Sequence, residues 1–229
     1  MKGELNMYNY TLSNNHYIIN IEGKDYLLDT GSPVSFSLKR DLRSVEINGK
    51  RYQLEYNVMG LDIDATRELV GMDVDGFIGM DIIRETSITI YKDGRVEFQA
   101  LQEQGHALDM LPGSYGLIKL QVTSNNLSAP YLVDTGARYA YGVEGLFKDS
   151  DNKPFGHIND YNPRLGYFDS DIYHISVDFG PFQKTVGIAD SKAVRGDLAM
   201  TSSLIVGNVT DLFDEVCVID MQNKVLTMR

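Results

Sequence analysis

The chain has 229 residues, 43% of them hydrophobic and 23% charged, enough to bury a sizeable core as one large domain or two small lobes. Its net charge of −11 argues against nucleic acid as a partner, and no apolar run approaches the roughly 18 residues that cross a membrane as a helix. The single cysteine, Cys217, excludes an internal disulfide and fits a reducing compartment; set in Glu215-Val216-Cys217-Val218-Ile219 it reads as a small buried filler rather than a nucleophile.

The first residues, Met1 to Asn6, lack the apolar stretch of an export signal, so the expectation is a cytoplasmic protein. His16 to Ile21 and Asp25 to Leu28 read as a hairpin about Glu22-Gly23-Lys24, which starts the first lobe near the terminus and leaves little room for an activation segment. This hairpin runs into Asp29-Thr30-Gly31-Ser32, an apolar strand delivering a carboxylate into a tight turn where glycine allows close backbone approach. A second hairpin, Val45 to Leu54, turns on Asn48-Gly49. Asp62, Asp64, Asp73 and Asp75 alternate like a solvated acidic strand edge and lack the spacing of a calcium loop. Gly76 to Ile82 follows as a turn and short helix, and Ser87 to Phe98 closes the lobe as a hairpin about Asp93-Gly94. Residues 101–114 carry glycine, proline and polar residues without periodicity and read as a linker between lobes 1–100 and 115–229.

The second lobe repeats the plan. Tyr115 to Val122, a turn at Asn125-Asn126 and Ala129 to Val133 lead into Asp134-Thr135-Gly136-Ala137. Ile175 to Ile188 matches the Asn48-Gly49 hairpin, Leu204-Ile205-Val206-Gly207 matches the stretch ending at Gly79, and Val216 and Val218 stand as far past Gly207 as Ile88 and Ile90 past Gly79. The expectation is a duplicated lobe. From the Asp to the later Gly there are 50 residues in the first half and 73 in the second. The excess falls near residues 150–172, two aromatic strand-like pieces about Asn162-Pro163.

The repeated apolar-apolar-Asp-Thr-Gly-Ser/Ala, each copy followed by apolar-apolar-Gly, resembles the aspartic peptidases, the clan of pepsin and the retroviral proteases. The resemblance spans nearly the whole chain. It implies an all-β, two-lobed acid-protease fold with short helices, and an aspartic endopeptidase in which Asp29 and Asp134 face each other, share one proton and activate a water against a peptide bond. It further implies that Thr30 and Thr135 brace the two loops against each other, that Gly31 and Gly136 bring N–H groups near the carboxylates, and that Ser32 donates to the outer oxygen of Asp29 while Ala137 has no donor to offer. From that missing donor the expectation is a pH optimum less acidic than pepsin's. The long second-half insertion is the place for a flap, with Tyr161, Tyr167 and Phe168 as candidates to cover the substrate. With both motifs in one chain the expected unit is a monomer, resembling bacterial intracellular members and acting on a peptide or protein. No cofactor is implied, and His16, His106, His157 and His174 are scattered without ligand spacing, so no metal is expected. Met72, Met80, Met200 and Met221 are expected in the core. The competing reading is a peptide-binding or regulatory protein that keeps the fold without cutting.

Overall fold

The computed structural model describes residues 6–113, 116–147, 153–162, 166–190 and 192–229, with the side chain of residue 197 left out. The Asn162-Pro163 turn and Tyr115 fall wholly or partly outside those residues. The first half runs β1 (Met7–Ser13), β2 (His16–Ile21), β3 (Lys24–Leu28), β4 (Phe36–Ser37), β5 (Ser44–Ile47), β6 (Lys50–Gln53), β7 (Glu55–Tyr56), α1 (Ile63–Val70), β8 (Gly76–Ile78), α2 (Met80–Thr86), β9 (Ile88–Tyr91) and β10 (Arg95–Glu97). The second runs β11 (His106–Leu111), β12 (Ile118–Ser124), β13 (Leu127–Val133), β14 (Ala140–Gly142), β15 (Gly156–Asn162), β16 (Gly166–Asp178), β17 (Gln183–Asp190), α3 (Arg195–Thr201), β18 (Ile205–Gly207), β19 (Val216–Asp220) and β20 (Val225–Met228).

Each half is built by the same pairings. β3 lies antiparallel to β2 and parallel to β8, which is antiparallel to β4; β13 stands in the same relations to β12, β18 and β14. The halves join in one antiparallel six-stranded sheet, β1-β10-β9-β19-β20-β11, whose central pair sets Ile88 opposite Ile219 and Ile90 opposite Cys217. These four side chains belong to a core that also takes in Tyr17, Leu28, Tyr131 and Val133, so one continuous apolar interior underlies both halves. Each such side chain contributes about 1.5–3 kcal/mol on burial.

Turn chemistry is as the sequence implies. Asn48 and Gly49 both take positive φ (52° and 75°), as do Asn125 and Asn126 (47° and 61°), the left-handed pair that a tight hairpin needs and that asparagine and glycine tolerate.

Four expectations are corrected. The supposed linker contains β11, which pairs with both β20 and β12; its alternation is broken by Asp109 and Met110, which hides the strand in the sequence. The register shifts the repeat by one residue: Leu28 pairs with Ile78, but Val133 pairs with Gly207, so Gly207 corresponds to Ile78 and Asn208 to Gly79. A one-residue shift exchanges the faces of a strand; accordingly Cys217 and Ile219, not Val216 and Val218, join Ile88 and Ile90 in the main core. The acidic run at residues 62–75 is no strand edge. Asp62 caps α1 by accepting from Ala65 N (2.8 Å), Asp73 pairs with Arg67, and Asp75 is buried, accepting from Asp25 N (2.8 Å) and pairing with Lys39. Of the methionines expected inside, Met80 and Met221 are buried and Met72 packs at the edge of a smaller cluster, but Met200 is 66% exposed on α3.

Candidate active site

β3 and β13 end in the two Asp-Thr-Gly turns, and the parallel pairings with β8 and β18 fix where each turn begins. Asp29 N donates to Ile78 O (2.9 Å) and Asp134 N to Gly207 O (2.8 Å), so each Asp leaves its strand at the edge of the pairing.

The turns interlock through their threonines, both fully buried. Thr30 Oγ1 donates to Val133 O (2.9 Å) and accepts from Thr135 N (3.0 Å); Thr135 Oγ1 donates to Leu28 O (2.7 Å) and accepts from Thr30 N (3.0 Å). Each hydroxyl is thereby used as donor and acceptor across the interface, holding the two turns at one spacing.

Beyond this clasp the carboxyl groups cross. A Cβ placed on Gly31 would collide with the Asp134 carboxylate, and one on Gly136 would come within 2.5 Å of Asp29 Oδ1. Glycine is required at both positions by close approach and not by φ. Asp29 Oδ1 accepts from Gly31 N (2.9 Å) and Ser32 N (3.0 Å), and Asp134 Oδ1 from Gly136 N (3.0 Å). The Asp29 carboxyl is pushed up to about 8, first by burial, then by the negative charge of Asp134, against the lowering effect of the Gly31 and Ser32 N–H groups. Each carboxyl lies against the glycine of the opposite turn, so close to its partner that the two titrate as a pair.

The turns are propped differently from behind. In the first half, Asp81 at the start of α2 accepts from Ser35 N and Oγ (2.8 and 2.6 Å), Ser35 Oγ accepts from Gly79 N (2.8 Å), and Met80 N donates to Ser32 O (2.9 Å). In the second, the side chain of Asn208 takes that role, accepting from Val209 N (2.7 Å) and donating to Ala137 O (3.3 Å). The β1–β2 turn of the first half adds a brace to the second: Asn208 Nδ2 donates to Asn15 O (2.7 Å), Asn15 Nδ2 donates to Arg138 O (2.8 Å), and buried His16 sets Nε2 3.2 Å from Gly136 O. Burial lowers the His16 imidazole to about 4, so it stays neutral above that pH. No spacing rule could have found Asn15, His16 or Asn208, because their bonds join residues far apart in sequence.

Ser32 does not act as expected. Its hydroxyl donates to Val34 O (2.7 Å), the nearer acceptor inside its own turn, and it is the backbone N–H that serves Asp29. The Ala137 backbone N–H goes to the main-chain carbonyl of Asp134 (3.2 Å), as Ser32 N also does to Asp29 O (3.3 Å). The contrast between a serine donor and an alanine without one therefore gives no reason for a shifted pH optimum.

A cavity of about 810 Å³ opens above the carboxyls, lined by Gly31, Asp134 and Gly136 at its floor and by Leu61 and Leu69 of the first half. Its far wall is the β15–β16 hairpin, in which Ile158, Asp160, Ser170 and Ile172 are buried while His157, Asn159, Asp169 and Asp171 face out. Tyr161 and Phe168 line the cavity; Tyr167 is 51% exposed and donates through its hydroxyl to Glu68 Oε2 of α1 (2.6 Å), so the hairpin reaches from the second half to the first. Asp160, 5% exposed, is bonded by the Tyr141 hydroxyl and by Tyr161 N (2.9 Å); burial raises its carboxyl, the tyrosine bond opposing. Among the described residues no cluster of His, Cys, Asp and Glu is arranged to hold a metal.

No family model matches this chain, and no curated protein does. Among solved structures, the aspartic proteinase from Irpex lacteus aligns over 98% of this chain and 97% of its own, at a TM-score of 0.51 and 12% identity. The fold is that of a pepsin-like aspartic proteinase. The Simian Foamy Virus (mac) protease aligns over 41% of this chain and 90% of its own, at a TM-score of 0.31 and 15% identity. Within this aspartic-proteinase fold the interlocked turns and the cavity above them lie where the two halves meet, with the insertion of the second half as their roof.

Proposed function

We propose that this chain is an aspartic endopeptidase in which Asp29 and Asp134 act as one acid–base unit on a peptide held in the cavity. The observation that carries the reading is the crossing of two carboxyls, each lying against the glycine of the opposite turn and held by N–H groups of its own turn, in a partly buried site. Two carboxyls this close share a proton, so one is available as a base and the other as a hydrogen-bond donor. In the proposed reaction the ionised partner takes a proton from a water, the water attacks the scissile carbonyl, and the protonated partner stabilises the developing oxyanion. The threonine clasp keeps the spacing fixed, so little reorganisation is needed at the moment of reaction.

Both carboxyls come from one chain, so the proposed active unit is a single copy. Tyr161 and Phe168 are proposed to cover the bound peptide, and Tyr167 to hold the hairpin closed against α1. The test is cleavage of a diverse peptide mixture, followed by mass spectrometry from about pH 3 to pH 8, for wild type, Asp29→Asn and Asp134→Asn, with and without a statine-type inhibitor. Cuts that vanish in both variants and with the inhibitor are expected. A wild type that makes no more cuts than the variants at any pH contradicts the proposal and leaves a cleft that holds peptides without hydrolysing them.

A further inference from the structure

Arg138 follows Asp134 by four residues, at the position that Pro33 occupies in the first turn. Its carbonyl is fixed by Asn15 Nδ2 (2.8 Å), and its guanidinium lies over the ring of Tyr139 at 5.1 Å. The residue is partly buried and lines two cavities at once: the one above the carboxyls and a neighbouring, more polar one of about 720 Å³. Among the described residues its guanidinium forms no ion pair and no hydrogen bond.

The charged neighbours are otherwise engaged. Lys119, in the same cavity, donates its amine to Thr201 O. Asp160 is used by the Tyr141 hydroxyl and the Tyr161 N–H, and Lys184 in the second cavity pairs with Asp214 (2.9 Å). Asp211 lines that second cavity without pairing with Arg138. Asp160 feels the charge of Arg138, which lowers its carboxyl, but makes no ion pair or hydrogen bond with it; a guanidinium brought partly out of water without a bonded anion is costly, and its planar fork of donors matches a carboxylate. The apolar wall of Leu132, Val206 and Phe168 strengthens any such pairing by lowering the local dielectric.

We propose that Arg138 is a specificity-determining residue that receives a carboxylate of the bound peptide, an Asp or Glu side chain on one side of the scissile bond. It rests on the proposed peptide-binding role of the cleft. Because the matching position in the first turn is Pro33, the selection acts on one side only.

The test uses peptide pairs identical except for Glu or Gln at one position, scanned along the sequence, each made with a statine unit for binding and with an ordinary peptide bond for cleavage. Binding is measured by calorimetry for wild type, Arg138→Gln and Arg138→Lys, and cleavage is followed in parallel. At one position the Glu peptide is expected to bind wild type about tenfold to a hundredfold more tightly than its Gln partner, as a charge-assisted hydrogen bond allows. That ratio should shrink with added salt, fall close to one in Arg138→Gln and survive in part in Arg138→Lys. Equal binding at every position, no binding at all, or a Glu preference that persists in Arg138→Gln overturns the proposal. The salt dependence, read on wild type, shows whether a charge pair forms, and a ratio lower in Arg138→Lys than in wild type assigns it to this residue even if Arg138→Gln fails to fold. Wild type that discriminates without cutting overturns the peptidase reading alone; wild type that cuts without discriminating overturns the Arg138 proposal alone.

Discussion

Asp29 is where a single residue ties stability to pH. Burial and the charge of Asp134 hold its carboxyl above the ordinary 3.8, so it favours folding while protonated, and that contribution is lost as pH rises from about 4 to about 8. Asp29→Asn should therefore be more stable than wild type at pH 8, by about 1 kcal/mol or more, and equal to it near pH 4. Urea unfolding of both proteins across that range checks this, and parallel stability curves would contradict it. His16 acts in the opposite sense, since a lowered imidazole contributes stability above 6.5 that is lost as pH falls toward 4. The threonine clasp makes a second prediction. Thr135→Val leaves Thr30 N–H and Leu28 C=O buried without their partner, which should cost about 2 kcal/mol or more, while Thr30→Val added to it should cost less than the sum of the two singles. Additive losses in urea would show that the hydroxyls do not work as a unit. Asp29, Thr30, Gly31, Asp134, Thr135 and Gly136 were all legible in the sequence because each needs a residue type that little else explains at that spacing. The role of Ser32 was not, because a hydroxyl's choice between Val34 O and the Asp29 carboxylate is settled by a local turn that sequence does not specify.

Among the elements, the β15–β16 hairpin departs most from the repeat. Its existence and place could be read from the longer second half, since 73 residues cannot follow the same path as 50. Which aromatic side chain faces which way could not, because strand alternation fixes a face only once register is known. Tyr167 opposes Tyr161 in the ladder, with rings 5.2 Å apart, and it is Tyr167 that reaches Glu68. Tyr167→Phe keeps the ring and removes that bond. It should speed amide exchange in the hairpin and raise KM about two- to tenfold while changing kcat less, the size expected for one exposed hydrogen bond. Unchanged exchange across residues 156–172 would mean that the contact with α1 does not hold the hairpin. β1 and β11 show the converse limit. Both are largely exposed, β1 alternating only between exposed and half-buried positions, and each becomes a strand because partner edges are waiting for it, β10 and β2 for β1 and β20 and β12 for β11.

At the scale of the molecule, the two halves share the six-stranded sheet and one apolar core, so the facing carboxyls are held by contacts that neither half makes alone. The two-lobed all-β architecture was readable from motif repetition, hairpin turns and length. The one-residue offset that sets Asn208 against Gly79 was not, because Gly207 satisfies the same sequence pattern while sitting in the ladder opposite Val133. The β19 face followed that offset, placing Cys217 fully buried with its thiol raised to about 12, the inert filler its apolar neighbours imply. If the halves exist to bring Asp29 and Asp134 together, then catalysis belongs to the pair. The decisive measurement is kcat/KM on one cleaved peptide for wild type, Asp29→Asn, Asp134→Asn and the double variant. A shared acid–base unit predicts that each single substitution costs about a thousandfold or more and that the double costs no more than either single. A single variant that keeps activity within about tenfold of wild type, or two losses that multiply in the double, would contradict a joint role for the two carboxyls.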